Sequence, residues 1–134
     1  MRLTLVRHGQ SPSNLETKLD SDAPGPSLTA LGVEQAAALP ARVPSPVGLI
    51  MTSHLTRAQE TAAPLAAAHG LTPLVREGLR EVIAGDLEMR NDPEALVLYR
   101  TAFRAWSRGG LDVRMPGGEG GHATLAGYHA VVRE

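Results

Sequence analysis

The sequence has no cysteine among its 134 residues, which excludes disulfides, thiolate catalysis and cysteine-based zinc sites. Aromatic residues are scarce, with one Trp, two Tyr and one Phe, so the chain offers little surface on which nucleic-acid bases could stack. The formal net charge of -1 gives no excess of positive charge for a phosphate backbone. No apolar run approaches the roughly 20 residues that span a bilayer. These features predict a soluble, cytoplasmic protein that binds neither nucleic acid nor membrane.

Length and composition predict a single domain over residues 1–134. The apolar fraction of 43% and the charged fraction of 20% are ordinary for a globular protein. A chain of this length can bury roughly two-thirds of the surface that its unfolded form exposes. We therefore expect one domain with a proper hydrophobic core.

Alternating strand and helix patterns run along most of the chain and predict an α/β fold. The predicted strands are Arg2–Val6, Val47–Ser53 and Leu71–Val75. The predicted helices run from Thr29 to Pro40, from Leu55 to His69 with Ser53 as the cap, from Pro93 to Arg108, and from Thr124 to Val132. A β, α, β, α, β order favours a mainly parallel sheet with helices on both faces, as in a three-layer domain.

Two segments lack a clear period and are candidates for functional loops. The first, Ser11 to Pro26, is rich in Ser, Pro, Asp and Gly, and the second is Arg80 to Glu88. The helix from Pro93 also carries Leu96, Tyr99, Phe103 and Trp106 on one face. That face is typical of a core, although contact with a ligand remains an alternative.

An Arg-His-Gly triplet follows the first predicted strand. Arg7 has a planar group of donors suited to an oxyanion. His8 has a ring nitrogen that can act as nucleophile or base near neutral pH, and Gly9 lets a ligand approach the backbone. Taken alone, the triplet could equally be a strand that ends in an ordinary surface loop.

A second arginine lies in the first turns of the helix that follows the second predicted strand. Arg57 is there close to unpaired backbone N–H groups and the positive end of the helix dipole, which favours an anion. Together with Arg7 it would form a pocket for a dianionic phosphate. The alternative is an exposed helix charge that pairs with Glu60 or Glu34.

Five motifs occur in an order that resembles a known family. They are Leu5-Val6-Arg7-His8-Gly9 with Asn14, Leu28-Thr29-Ala30-Leu31-Gly32, Ser53 to Ala62, Leu79-Arg80-Glu81, and Pro116-Gly117-Gly118-Glu119. The ordered set resembles the phosphoglycerate mutase-like branch of the histidine phosphatase superfamily. The resemblance extends from the first strand to about Glu119 and implies a phosphoglycerate mutase-like fold.

The resemblance also implies a role for each matching residue. His8 matches the histidine that attacks phosphorus and becomes phosphohistidine, and Arg7, Arg57 and Asn14 match residues that bind the transferred phosphoryl group. Glu81 matches the acid that protonates the leaving alcohol and then activates water, with Glu88 as the second choice. The family needs no cofactor and no metal for this chemistry.

One family residue has no counterpart in the sequence. The family has a second histidine, followed by glycine, at the end of a strand beyond the Pro-Gly-Gly-Glu turn. His122 and His129 lie downstream of that turn, yet neither follows a strand or precedes glycine. We therefore expect the second histidine and the C-terminal strand to be missing from these 134 residues. Smaller departures are Gln10, His54 and Gly120.

The sequence favours a phosphomonoester hydrolase that acts on a small phosphate monoester through His8. The segment between Glu81 and Pro116 is short, with one clear helix, whereas mutases have a longer insertion there. A phosphoglycerate mutase-type transferase remains an alternative, and so does a phosphate-binding pseudoenzyme that lacks the second histidine. The oligomeric state is left open, a homodimer included.

Overall fold

The computed structural model describes residues 2–134 and contains six α-helices and two short strands within that range. The helices are α1 (Pro12–Leu15), α2 (Ala30–Ala37), α3 (Leu39–Arg42), α4 (Thr56–His69), α5 (Pro93–Trp106) and α6 (Gly121–Val132). The strands are β1 (Met51–Thr52) and β2 (Leu74–Val75), and 3-10 turns lie at Glu77–Leu79 and Gly85–Leu87. Every helix in this range falls short of the length and hydrophobicity that a membrane span requires.

The second and third predicted strands form a parallel pair, but each is shorter than predicted and comprises only two residues. Met51 pairs with Leu74 and Thr52 with Val75, so the strands on either side of α4 run in the same direction. The Arg76 N–H extends the pairing by donating to the Thr52 carbonyl at 2.8 Å. The predicted parallel β-α-β order is confirmed for this part of the chain.

The prediction of a first strand at Arg2–Val6 is wrong, because no strand forms there within residues 2–134. Residues 2–6 lie outside any helix or strand, and no backbone–backbone hydrogen bond joins them to the rest of this range. Leu5 is 85% exposed. A two-residue alternation indicates which side chains share a face, but a strand forms only where a neighbouring strand accepts its hydrogen bonds.

Helices α2, α3 and α4 pack together beside the strands. Thr29, where the predicted helix begins, is the N-cap of α2, because its Oγ1 accepts the Gly32 N–H at 3.1 Å. Pro40 follows the end of α2 and lies in the first turn of α3, where its missing N–H costs no helical hydrogen bond. The core beneath these helices is built from Ile50, Leu65 and Ala66.

The predicted cap of α4 is corrected by the structure. Leu55 is the N-cap residue, and Ser53 lies two positions earlier, where its Oγ accepts the Leu55 N–H at 3.3 Å. Ser53 therefore stabilises the turn that leads into α4 and does not cap the helix itself. The helix ends at Gly70 as predicted and contains Pro64.

The second core lies under α5 and connects it to the segment 80–88. Its buried members are Val82, Ala84, Leu87, Ala95, Ala102 and Met115. Tyr99 and Trp106 pack against this cluster, which confirms a core role for these two members of the aromatic face. Phe103 differs, because it is 41% exposed.

Helix α6 begins at Gly121, three residues before the predicted start at Thr124, and packs against the turn Glu77–Leu79. The contact is backbone against backbone. A Cβ added at Gly78 would lie 2.4 Å from the Gly127 carbonyl oxygen. Gly127, which lies within the helix predicted from Thr124 to Val132, thus lets α6 approach the chain just before Glu81.

Candidate active site

Residues 8–10 are held between α2 and α4. The Gly9 N–H donates to Thr61 Oγ1 on α4 at 3.0 Å, and the Gln10 carbonyl accepts the Thr29 N–H at 2.9 Å. A Cβ on Gly9 would lie 2.5 Å from the Gly32 carbonyl oxygen, and one on Gly32 would lie 2.2 Å from that of Gln10. Both motif glycines therefore serve a close backbone contact that places the neighbouring His8.

The two ring nitrogens of His8 have different partners. Nδ1 lies 2.7 Å from the Gly9 carbonyl oxygen, while Arg57 Nε–H donates to Nε2 at 3.2 Å. A guanidinium can only donate, so Nε2 must carry a lone pair, and the proton of the neutral ring lies on Nδ1. The contacts thus assign the tautomer in which Nε2 carries the lone pair and Nδ1 carries the proton.

The surroundings of His8 lower its pKa below the ordinary value of 6.5. Burial of the ring is the main cause, and the positive charges of Arg57 and Arg7 act in the same direction. The Gly9 carbonyl and the negative charge of Glu81 oppose the shift. His8 is therefore biased toward its neutral form near pH 7.

Arg57 is buried, with 3% of its side chain exposed, beneath the loop that contains Asp20 and Gly25. Nη2 donates to the Asp20 carbonyl at 2.9 Å, and Nη1 lies 3.8 Å from the Asp20 carboxylate. Nη1 has no hydrogen-bond partner among residues 2–134. The alternative of an exposed charge paired with Glu60 or Glu34 is wrong, because Glu60 instead accepts the Leu28 N–H.

Glu81 lies close enough to His8 for its negative charge to act on the ring. Its charge raises the pKa values of His8, Tyr99 and Tyr128. Its Oε1 accepts the Val82 N–H at 2.9 Å. The adjacent Arg80 does not pair with Glu81, because its guanidinium binds Glu119 of the Pro-Gly-Gly-Glu turn.

Glu88 is engaged elsewhere. Its Oε1 accepts the N–H groups of Ser21 and Asp22 at 2.8 and 3.2 Å, and its Oε2 accepts the Ser21 hydroxyl. These bonds attach the loop over Arg57 to the segment 80–88. Both carboxylate oxygens of Glu88 therefore have hydrogen-bond partners in that loop.

A cavity of about 460 Å³ opens beside Arg7 and Asn14. Asn14 Oδ1 accepts the Ser11 N–H at 2.9 Å, which fixes the side chain at the start of α1. The opposite wall comes from α5, through Tyr99, Arg100 and Phe103. The exposed part of the predicted aromatic core face therefore lines a cavity next to the two phosphate-binding candidates.

The two histidines that follow the Pro-Gly-Gly-Glu turn make no hydrogen bond to His8 within residues 2–134. His122 is exposed, and its Nε2 lies 3.3 Å from Asp112. His129 is an exposed residue of α6. Within residues 2–134, no three histidine, aspartate or glutamate side chains are grouped in a way that could hold a metal ion.

The sequence profile of the histidine phosphatase superfamily (branch 1) matches residues 3–134. The chain belongs to this superfamily. The match covers almost the whole sequence, including every motif on which the resemblance was based.

Relatives within the superfamily include phosphatases and mutases. The chain is 35% identical over 107 residues to the adenosylcobalamin/alpha-ribazole phosphatase of Escherichia coli, covering 79% of this chain and 52% of that protein. It is 41% identical over 124 residues to a 2,3-bisphosphoglycerate-dependent phosphoglycerate mutase of Methylobacterium radiotolerans, covering 87% and 58%. The chain thus spans between half and three-fifths of the length of these two relatives.

Solved structures confirm the fold class. The alpha-ribazole phosphatase of Shigella flexneri superposes with a TM-score of 0.73 at 29% identity, covering 96% of this chain and 63% of that one. The phosphoglycerate mutase of Thermus thermophilus gives 0.66 at 30% identity, covering 95% and 68%. The chain therefore has a phosphoglycerate mutase-like α/β fold.

Several residues that shape this site were not singled out from the sequence. Thr61 binds the Gly9 N–H, Asp20 covers Arg57, and Ser21 joins Glu88 to the Ala84 N–H at 2.8 Å. Tyr128 donates to the Arg80 carbonyl. Only Thr61 lies within one of the quoted family motifs. All four residues bind partners more than 30 positions away in the sequence, and no local pattern shows such contacts.

Proposed function

We propose that the chain supplies the nucleophilic and acid groups of a phosphomonoester hydrolase that forms a phosphohistidine on His8. In the first step Nε2 bonds to phosphorus, the bond from phosphorus to the ester oxygen breaks, and Glu81 gives its proton to the leaving alcohol. In the second step water attacks phosphorus and the P–N bond breaks. The water proton then passes to Glu81, which restores the enzyme.

The observation that supports this proposal most directly is the contact between His8 and Arg57. The Nε2 lone pair faces a buried guanidinium, so an anionic phosphoryl group would meet a nucleophile and a cation together. The lowered pKa of His8 keeps this nitrogen unprotonated near neutral pH. The Gly9 carbonyl beside Nδ1 would stabilise the positive ring that forms when Nε2 is phosphorylated.

Arg7 and Asn14 are the further phosphate ligands that we infer. Phosphoryl transfer depends mainly on positioning and on positive charge spread around the phosphoryl oxygens. Arg7 is close enough for its charge to lower the pKa of His8, and it lines the same cavity as Asn14. That cavity is suited to the alcohol part of a small phosphate monoester.

The test is hydrolysis of p-nitrophenyl phosphate by the wild-type chain, with His8→Gln and Glu81→Gln as variants. We expect His8→Gln to abolish turnover and phosphohistidine formation, and Glu81→Gln to slow turnover by about 10²-fold or more. A chelator should leave the rate unchanged. Full turnover by His8→Gln would overturn the proposal.

Two further measurements separate the alternatives that the sequence left open. Binding of phosphate or vanadate without any turnover would identify a phosphate-binding pseudoenzyme. Migration of the phosphoryl group of a phosphoglycerate, without release of phosphate, would identify a mutase.

A further inference from the structure

The segment that carries Glu81 is anchored on both sides by tyrosine hydroxyls. Tyr128 on α6 donates to the carbonyl of Arg80 at 2.9 Å. Tyr99 on α5 donates to the carbonyl of Val82 at 3.2 Å. The two acceptors are the residues immediately before and after Glu81, so the backbone at this position is held from two separate helices.

These two residues are the only tyrosines in the chain. Both are half-buried, and burial followed by the negative charge of Glu81 raises the pKa of Tyr99. The pKa of Tyr128 is raised by the same two causes. Both hydroxyls therefore stay protonated at any working pH, so both hydrogen bonds persist across the range in which His8 titrates.

The side chains of the two neighbours of Glu81 also hold the backbone of this segment. Val82 is buried in the core under α5, whereas Arg80 extends outward to the Glu119 carboxylate. Glu81 itself bonds only to the adjacent Val82 N–H among residues 2–134. Its carboxylate thus moves with the backbone of residues 80–82.

We propose that Tyr99 and Tyr128 are positioning residues that hold the Glu81 carboxylate toward His8. The inference rests on the proposed function, in which Glu81 is the acid. Neither tyrosine needs to touch the substrate's reacting atoms. Each acts through a backbone carbonyl next to Glu81, so the two effects combine at one side chain.

The experiment is an NMR titration of the His8 ring, which reports the distance to Glu81 without requiring turnover. Glu81→Gln removes a negative charge, so the pKa of His8 should fall. Tyr99→Phe and Tyr128→Phe remove only the hydroxyls. We expect the double variant to lower the pKa of His8 by more than about half of the Glu81→Gln decrease.

Thr101→Val is the matched control. It removes a hydroxyl hydrogen bond from the same helix, since Thr101 Oγ1 donates to the Val97 carbonyl at 2.8 Å. That bond does not involve residues 80–82. The control should keep the wild-type pKa of His8 even if its melting temperature falls.

A second readout uses the leaving group. Phenyl phosphate needs a proton donor more than p-nitrophenyl phosphate does, so loss of Glu81 alignment should affect it more. We expect the double tyrosine variant to lose about tenfold more kcat/KM on phenyl phosphate than on p-nitrophenyl phosphate. Equal losses on both substrates would indicate a structural role only and would overturn the inference.

The outcomes separate the inference from the function on which it rests. If Glu81→Gln leaves the pKa of His8 unchanged, Glu81 does not face His8, and the proposed acid fails together with its positioning. If Glu81→Gln shifts that pKa but the double tyrosine variant matches wild type, the inference alone is overturned.

Discussion

The two sides of the site are held in different ways. The histidine side consists of residues 7–10 with their contacts on α2 and α4, and it is fixed by short backbone contacts and a buried arginine. The glutamate side consists of residues 80–88 with their contacts, and it is fixed by bonds from four separate segments: the loop at Ser21 and Asp22, α5, the turn 115–119 and α6. The first side is built mainly from residues of the quoted family motifs, whereas the second also depends on residues outside them.

This difference predicts different responses to damage. A change on the histidine side should impair phosphate binding and the proposed catalysis together, because His8 and Arg57 share the same contacts. A change that displaces Glu81 but keeps the Glu88 bonds to Ser21 and Asp22 should leave phosphate binding intact and impair the proposed proton transfer. Variants of single glycines can test this separation, because several glycines lie at close backbone contacts and others do not.

Gly85→Ala should have the largest effect on stability. A Cβ at Gly85 would lie 2.2 Å from the Pro116 carbonyl oxygen, and the φ of +59° is unfavourable for alanine. Overpacking and backbone strain together should lower the free energy of unfolding by roughly 2–5 kcal/mol. Urea unfolding measures the loss, and phosphate binding is measured below the variant's own melting temperature.

Gly109→Ala is the control for the cost of placing alanine at a positive φ. Gly109 also has a positive φ, of +88°, but nothing lies within 4 Å of its added Cβ. It should lose only about 1–2 kcal/mol. Equal losses in the two variants would show that the contact with Pro116 contributes nothing, and loss of phosphate binding in folded Gly85→Ala would break the separation of the two sides.

Gly9→Ala tests the histidine side. Its Cβ would lie 2.5 Å from the Gly32 carbonyl oxygen, a backbone atom of α2 that cannot rotate away. We expect a loss of about 1–3 kcal/mol in unfolding free energy, because the added methyl overpacks a buried contact. Phosphate or vanadate binding, measured by calorimetry, should weaken at the same time since His8 is displaced.

Gly48→Ala is the matched control, because nothing lies within 4 Å of its added Cβ. Its stability should stay within about 0.5 kcal/mol of wild type. Unchanged binding in a folded Gly9→Ala variant would mean that the contact with Gly32 does not place His8.

The sequence predicted the histidine side better than the glutamate side, because the quoted motifs name the residues of the histidine side. His8, Gly9 and Arg57 belong to two of these motifs, so the resemblance placed them together although His8 and Arg57 lie 49 positions apart. The bonds to Arg80 and Val82 come from tyrosines outside the quoted motifs. Tyr99 was predicted as core, and its packing confirms this, but the bond of its hydroxyl was not predictable from helical spacing.

Element boundaries show the same limit. The period of apolar residues predicted α2, α4 and α5 well, because a helix forms its hydrogen bonds within its own segment. The strand at residues 2–6 was predicted from alternation alone and is not formed within residues 2–134. The catalytic roles of His8, Arg7, Arg57, Asn14 and Glu81 stay predictions, although Arg57 and Glu81 both lie close enough to shift the pKa of His8.

Thr29→Ala should have a smaller effect, confined to the histidine side. Thr29 Oγ1 accepts the Gly32 N–H and also donates to Gln10 Oε1 at 2.9 Å. Loss of this helix cap should lower the free energy of unfolding by about 1 kcal/mol, as measured by urea unfolding. Thr29→Ser keeps the hydroxyl and should retain most of the stability. If both variants lose the same amount, the methyl group and not the cap is responsible.

The smallest effect we expect is a pH dependence of stability that belongs to His8. Its pKa is lowered in the folded state, mainly by burial, so the unfolded chain binds a proton more readily below the ordinary value of 6.5. The stabilisation that comes from the neutral His8 ring is therefore fully present above about pH 6.5 and declines as the pH falls toward the folded pKa, below which it levels off.

His8→Gln keeps a neutral acceptor for Arg57 Nε but cannot titrate, so it should lose less stability between pH 7 and pH 5. The other four histidines are present in both proteins, so their contributions cancel in the difference. Identical pH dependence in the two proteins would mean that burial does not hold His8 neutral, and the proposed attack by Nε2 near pH 7 would lose its main support.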